Sequence, residues 1–348
     1  MTRDPDKRRR LAAANFGRLA LLAGGCVAAL VLAEVIVRAL SVAPEVVVVA
    51  QGRYRVSANP SIGYEPIPGL MYDGEPLTNY DYRSEETNSL GYRDRERQLA
   101  RAPGVLRVVV LGDSVAMGLW IDKREDTFPA KLETYLNRQG RPAEVLNFGV
   151  VGYNTLQEVA TLEERGLAFG PDVVLVEYCL NDRQRDDGNM LGRLVAAEKG
   201  ERSLSAARLS RFMAWSALYR FFRFRVMAGF AGTYRDTLEV ESQRLQHDTV
   251  TEALATLGSL ARAHRFKVLL VVFPDFSDLH QYRFGEEHQT LRLLSASEGF
   301  THLDLLRPMR QCEARGMGQS VALDRYHPTA YGNDCAARAM AAAVASMK

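Results

Sequence analysis

From Val105 onward the chain alternates short apolar runs, rich in β-branched residues, with longer stretches of helical period. Leu106 to Leu111, Glu144 to Phe148, Val173 to Tyr178, Lys267 to Phe273 and His302 to Leu305 read as strands. Thr127 to Asn137, Thr155 to Leu167, Thr249 to His264, Glu286 to Glu298 and Ala330 to Met347 read as helices. Near-continuous apolar runs predict strands buried on both faces, the mark of a parallel sheet covered by helices. Strand–helix alternation predicts a doubly wound α/β domain. Such sheets place their chemistry at the carboxyl ends of the strands.

The pattern before Val105 is different. Leu19 to Val37 carries a single charge, Glu34, and follows Arg3, Lys7, Arg8, Arg9 and Arg10. Nineteen helical residues at ~1.5 Å each span about 28 Å, close to the hydrocarbon thickness of a bilayer. Basic residues ahead of the span favour a cytoplasmic N-terminus. A cleaved signal peptide has a shorter apolar core. Glu34 and Arg38 interrupt before Ser41-Val42-Ala43, and Pro44 disfavours cleavage there. Leu-Ala-Gly-Gly-Cys26 resembles a lipoprotein site with its leucine one position too far back. The expectation is therefore an uncleaved anchor over 19–41 after a basic tail over 1–18. Residues 42–103, rich in Tyr, Pro, Gly and Asn, are expected to wrap the domain without long helices, with a short strand at Val46 to Ala50. The domain is expected over 104–348, with a helical insert at 183–248. Within that insert Phe212, Trp215, Tyr219, Phe222 and Val226 recur at helical spacing beside Arg208, Arg211, Arg220, Arg223 and Arg225. An amphipathic helix packed on the domain is the expected reading, ahead of an interfacial helix or lid.

Composition changes this picture little. Of 348 residues, 47% are hydrophobic and 25% charged, as in an ordinary globular protein. A net charge of +2 offers no electrostatic case for binding nucleic acid. The four cysteines, Cys26, Cys179, Cys312 and Cys335, form no C-x-x-C, which excludes a zinc ribbon or thioredoxin motif. Cys312 and Cys335 either pair, in an oxidising compartment, or remain two thiols.

Four blocks carry candidate chemistry. Val110-Leu-Gly-Asp-Ser-Val115 ends the first core strand and presents Ser114 at the carboxyl edge of the sheet. Asn147-Phe-Gly-Val-Val-Gly152 ends the second strand, where the Gly152 N–H can approach a substrate oxygen. Cys179-Leu-Asn-Asp182 ends the third, and the Asn181 amide can donate to an oxyanion. Asp324-Arg-Tyr-His327 follows the last strand, with the aspartate placed to orient the imidazole. Singly, each block is also an ordinary turn or loop. Together they supply nucleophile, base, orienting carboxylate and oxyanion donors, the set acyl transfer needs. Ala116 breaks the G-x-S-x-G elbow of α/β-hydrolases.

On these residues the chain resembles the SGNH (GDSL) hydrolase superfamily over about Leu106 to Met347. Gly112-Asp113-Ser114 matches the first block, Gly152 the second, Asn181 the third, and Asp324 with His327 the last. Asn88-Ser-Leu-Gly-Tyr-Arg93 ahead of the domain is similar to membrane-anchored bacterial members, some of which sit near polysaccharide assembly. The resemblance implies a three-layer α/β/α flavodoxin-like fold with a parallel five-stranded sheet. It also implies an ester hydrolase with Ser114, His327 and Asp324 as triad and the Ser114 N–H, Gly152 N–H and Asn181 as oxyanion hole. No metal or organic cofactor is implied. Partners would be an acylated glycan or small ester and, through the N-terminal helix, the cell inner membrane, with the domain in the periplasm. An O-acyltransferase using the same residues and a catalytically silent assembly subunit are the alternatives. Cys179 stands where the family usually has glycine, and is expected to crowd the oxyanion site or narrow substrate choice.

Overall fold

The computed structural model describes residues 5–40, 42, 54–68, 87–180, 182, 216–222 and 247–347. Helix α1 (Pro5–Ala39) contains the N-terminal apolar stretch. Its part Leu21–Ala39 is long and apolar enough to cross a membrane or to act as a signal sequence, and almost none of it is buried in the protein. The strand expected at Val46 to Ala50 lies outside the described residues. A small antiparallel hairpin follows, β1 (Tyr54–Val56) paired with β2 (Tyr64–Pro66).

The domain then runs β3 (Leu106–Leu111), α2 (Ser114–Met117), α3 (Phe128–Arg138), β4 (Ala143–Asn147), α4 (Thr155–Glu164), β5 (Val173–Tyr178), α5 (Ala217–Phe221), α6 (His247–His264), β6 (Lys267–Val272), α7 (Gly285–Glu298), β7 (Thr301–Asp304), α8 (Leu306–Arg315) and α9 (Ala330–Ser346). The five domain strands form one parallel sheet in the order β4-β3-β5-β6-β7. Alternate residues of the buried strands feed two apolar clusters, one on each face. Val109, Leu111, Val174, Val176, Leu270 and Val272 pack with Val159 and Leu162 of α4, Leu254 and Leu257 of α6 and Leu291 of α7. Val108, Val110, Leu175, Leu269 and Val271 pack with Leu132 and Leu136 of α3, Met309 of α8 and Met340 and Val344 of α9. The architecture is the three-layer α/β/α sandwich expected. All five expected strands and the five expected domain helices form within about three residues of their predicted ends, with the second helix finishing in a 3-10 turn at Gly166–Phe169.

Two features of this fold position the site. The chain leaves β3 for β4 on one side and later places β5 on the other, so a crevice opens at the carboxyl end of β3. Residues 87–103 form a strap beside it. Asn88 Oδ1 accepts from the backbone N–H of Leu90 and Tyr92, and this turn delivers Arg93 inward. The buried Arg93 guanidinium donates to the carbonyls of Gly118, Ile121 and Asp122, and so fixes the loop that follows α2. Asn147, at the end of β4, donates to the carbonyls of Ala116 and Arg93, joining strap, α2 and sheet.

The open question of the cysteines is resolved: Cys312 of α8 and Cys335 of α9 form a disulfide. Cys26 is exposed and Cys179 buried.

Candidate active site

Strand β3 ends at Leu111, and Gly112 turns the chain. A side chain at 112 would place its Cβ 2.6 Å from Glu177 Oε2 and 2.6 Å from Ala116 Cβ, so the turn requires glycine. Asp113 is the N-cap of α2, its Oδ1 accepting from Val115 N at 2.8 Å. Ser114 is thereby the first residue of a short helix directly above the strand end.

Asp324 and His327 lie on the loop between α8 and α9. Asp324 Oδ1 accepts from the backbone N–H of Tyr326 and of His327, both at 2.8 Å, which curls the loop into a turn. Leu323 N–H donates to the His327 carbonyl and closes it. Within this turn His327 Nδ1 stands 2.9 Å from both carboxylate oxygens of Asp324. Its Nε2 is 2.8 Å from Ser114 Oγ. Residues 213 positions apart in the sequence thus form one chain, Asp324–His327–Ser114. Burial disfavours the imidazolium, but the charge and hydrogen bond of Asp324 and the charge of Asp113 outweigh it, so the His327 pKa is raised above the ordinary 6.5. Burial likewise opposes ionisation of Asp324, and the hydrogen bonds and charge of His327 prevail, holding its pKa below the ordinary carboxylate value.

Gly152 lies in the loop after β4, with φ of 77°. That left-handed backbone suits glycine. The Tyr64 hydroxyl stands 3.0 Å from where a Cβ would be and donates to the Val151 carbonyl, so the β1–β2 hairpin braces this loop. Asn181 lies outside the described residues. Its neighbours form a tight turn: Asp182 N–H donates to the Cys179 carbonyl, and Cys179 N–H donates to Asp182 Oδ2. Cys179 itself is buried in the apolar cluster on the α3–α9 face, packed as a small hydrophobe.

Three features were not anticipated from the sequence. Trp120 has φ of 65°, a strained conformation for a bulky residue, and its ring meets the His327 ring edge-on at 4.4 Å. Trp120 lies three residues after α2, and no motif marks it. Asp275, buried after β6, holds Arg325 inside the Asp324–His327 turn, and Phe276 N–H donates to the Arg325 carbonyl. Near Ser114 sits a set of buried acids, Asp113, Glu158, Glu177 and Asp182. Glu177 Oε2 accepts from Asp113 N at 3.3 Å, and both oxygens of Glu158 have no hydrogen-bond partner. Burial first, and then the neighbouring acids, raise the pKa of Glu158, Glu177 and Asp182 well above ordinary values. Burial thus favours the protonated form of all three. Among the described residues no cluster of His, Cys, Asp and Glu is arranged to hold a metal ion. A cavity of about 280 Å³ between the strap and β4, lined in part by Asn88, Arg97, Asn147 and Phe169, includes none of Ser114, Asp324 and His327.

Residues 110–335 match the model of the GDSL-like lipase/acylhydrolase family. No protein of curated function matches the sequence. Similar solved structures include TesA, at 16% identity over 69% of this chain and 98% of that one, with a TM-score of 0.42. An acetyl xylan esterase, AlAXEase, is 16% identical over 69% of this chain and all of that one, with a TM-score of 0.43. The lipase/acylhydrolase from Enterococcus faecalis is 14% identical over 68% of this chain and 94% of that one, with a TM-score of 0.40.

Proposed function

The chain belongs to the GDSL-like lipase/acylhydrolase family, and from that premise we propose that it is a serine ester hydrolase with Ser114 as nucleophile. The observation that carries this reading is the continuous chain from Ser114 Oγ through His327, at 2.8 Å, to Asp324, at 2.9 Å. His327 Nε2 takes the Ser114 proton as the oxygen attacks the ester carbonyl. The resulting oxyanion is received by the Ser114 N–H, the Gly152 N–H and the Asn181 side chain, each donor typically worth about 3–4 kcal/mol. His327 then protonates the leaving alcohol, and water, deprotonated by the same imidazole, releases the acid. Asp324 keeps Nδ1 protonated and balances the imidazolium that forms in both half-reactions.

The natural ester is assigned to an O-acylated glycan or small acyl ester, by resemblance to membrane-anchored members of the family. Localisation follows from two features. The apolar helix after a basic tail fits a single-pass anchor in the inner membrane. The Cys312–Cys335 disulfide fits a domain on the oxidising, periplasmic side. The division is then a basic tail at 1–18, an anchor at 19–41, a wrapping segment at 42–103 and the hydrolase domain at 104–348 with its insert at 183–248.

The test is hydrolysis of a short-chain chromogenic ester by the full chain in detergent, beside Ser114→Ala. Turnover is expected to fall ~10³–10⁴-fold. Equal rates in the two proteins overturn the assignment of Ser114. Acetate release from O-acetylated polysaccharides then tests the glycan assignment.

A further inference from the structure

Within the insert, Ala217–Phe221 is docked on the N-terminal helix. Glu34 is the one charged residue between Leu19 and Val37. Its Oε1 accepts from the backbone N–H of Ala217 at 2.8 Å and from Arg38 Nε at 2.7 Å. Its Oε2 accepts from Ser216 Oγ at 2.7 Å and from the Leu218 N–H at 2.8 Å. Glu34 therefore closes the amino end of α5, and Ser216 Oγ accepts from Tyr219 N–H in the same cap.

We propose that Ser216–Phe222 is a second membrane contact, lying in the interface of the bilayer that α1 crosses. This rests on the reading of α1 as a spanning helix. Glu34 lies five residues before Ala39, the end of the apolar stretch, which is roughly 7–8 Å along the axis and so at the inner margin of the headgroup layer. A carboxylate at that depth is costly unless every oxygen is paired. So are the first N–H groups of a helix, which have no intrahelical partner and no water to take its place. The four hydrogen bonds to Glu34 remove both costs at once. In bulk water neither group needs the other, so the pairing has most value at the membrane. The packing agrees. Val37 and Ala217 are buried, whereas Leu30, Val31, Leu32, Val35 and Ile36 on the same helix stay exposed. What covers those side chains at the level of Glu34 also surrounds α5. Phe222, 56% exposed, then projects with Tyr219 and Phe221 at the depth where aromatic side chains gather at membrane surfaces. In sequence, Arg220, Arg223 and Arg225 give this stretch the basic composition of segments that meet anionic headgroups. Most of the helix expected across Phe212 to Val226 lies outside the described residues, and the proposed lipid contact is that of Ser216–Phe222.

The test uses the full chain with Cys26→Ser in vesicles of phosphatidylethanolamine and phosphatidylglycerol. Single cysteines replace Phe222, Leu30 or the exposed Leu293 of α7, and each carries a small environment-sensitive fluorophore. Ester hydrolysis by each labelled protein confirms folding. Brominated lipids are expected to quench the label at 222 several-fold more than at 293, and aqueous iodide to do the reverse. Adding Glu34→Gln, which removes the charge from the cap, is expected to shift 222 toward the iodide-accessible pattern. Quenching at 222 that matches 293, while 30 remains lipid-quenched, overturns the proposal and leaves the anchor intact. A label at 30 that iodide reaches removes the spanning helix, and the proposal with it.

Discussion

At the scale of single residues, the proposed mechanism makes the pairing of His327 with Asp324 a pH limit on turnover. His327 must be neutral to take the Ser114 proton, and its pKa is raised above 6.5. The acid limb of kcat/KM is therefore expected above pH 6.5, with activity lost as pH falls through it. Asp324→Asn removes the charge that raises this pKa, so the limb should move to lower pH while kcat drops ~10³–10⁴-fold through loss of the oriented tautomer. A limb that stays in place in the variant counts against Asp324 as the orienting group. Trp120 packs edge-on against the same imidazole. Trp120→Ala should lower kcat by ~10–100-fold with little change in KM, as expected when a reacting group is slightly misplaced, and Trp120→Phe should restore most of it. Ser114, Asp324 and His327 were legible in the sequence because each is held by its own neighbours: a strand end, an N-cap, a three-residue turn. Trp120 was not, because its meeting with His327 depends on a loop tied down by Arg93 from far upstream.

Elements differ in legibility for a related reason. Strands β3, β5 and β6 are apolar on both faces and could be read directly. Helix α2 has four residues, fewer than a periodic pattern needs, and exists because Asp113 caps it and Gly118 closes it. Helix α8 buries only Met309 among its residues and so shows hardly any apolar stripe. The β1–β2 hairpin has three-residue strands held by tertiary contact, with Tyr153 and Tyr64 ring to ring at 5.2 Å. The strap is where an element-level substitution should matter most. Arg93→Ala leaves three carbonyls without their donor in a buried site, and a loss of at least about 3 kcal/mol is expected in chemical denaturation. The buried acids on α4, β5 and the turn at Asp182 act in the opposite direction. In the unfolded chain Glu158 and Glu177 ionise near 4.5, whereas burial and the neighbouring acids raise their pKa well above that in the fold. Their contribution is fully present below the unfolded pKa and is lost as pH rises through the folded one. Glu158→Gln should therefore raise Tm at pH 8 and much less at pH 4. A gain that is independent of pH would argue against a raised pKa at that position.

On the scale of the whole molecule, the catalytic loop is pinned from both ends by a covalent link. The disulfide joins Cys312 to Cys335 across 23 residues, and Asp324 and His327 both lie within that span. Closing a loop of this length restricts the unfolded chain by about 3 kcal/mol on the chain-entropy account. Cys312→Ser with Cys335→Ser should therefore lower unfolding free energy by about that amount. Because the Asp324 turn, the Asp275–Arg325 pair and the Thr329 cap of α9 also hold the loop, hydrolysis well below the new Tm should stay within about threefold of wild type. If stability is unchanged while turnover collapses, the bond acts on the geometry of the loop and not on the unfolded chain. The same comparison bears on compartment. A protein that depends on this bond loses the stated margin wherever thiols are kept reduced, so refolding yields with and without a reductant should separate in the wild type and coincide in the double variant.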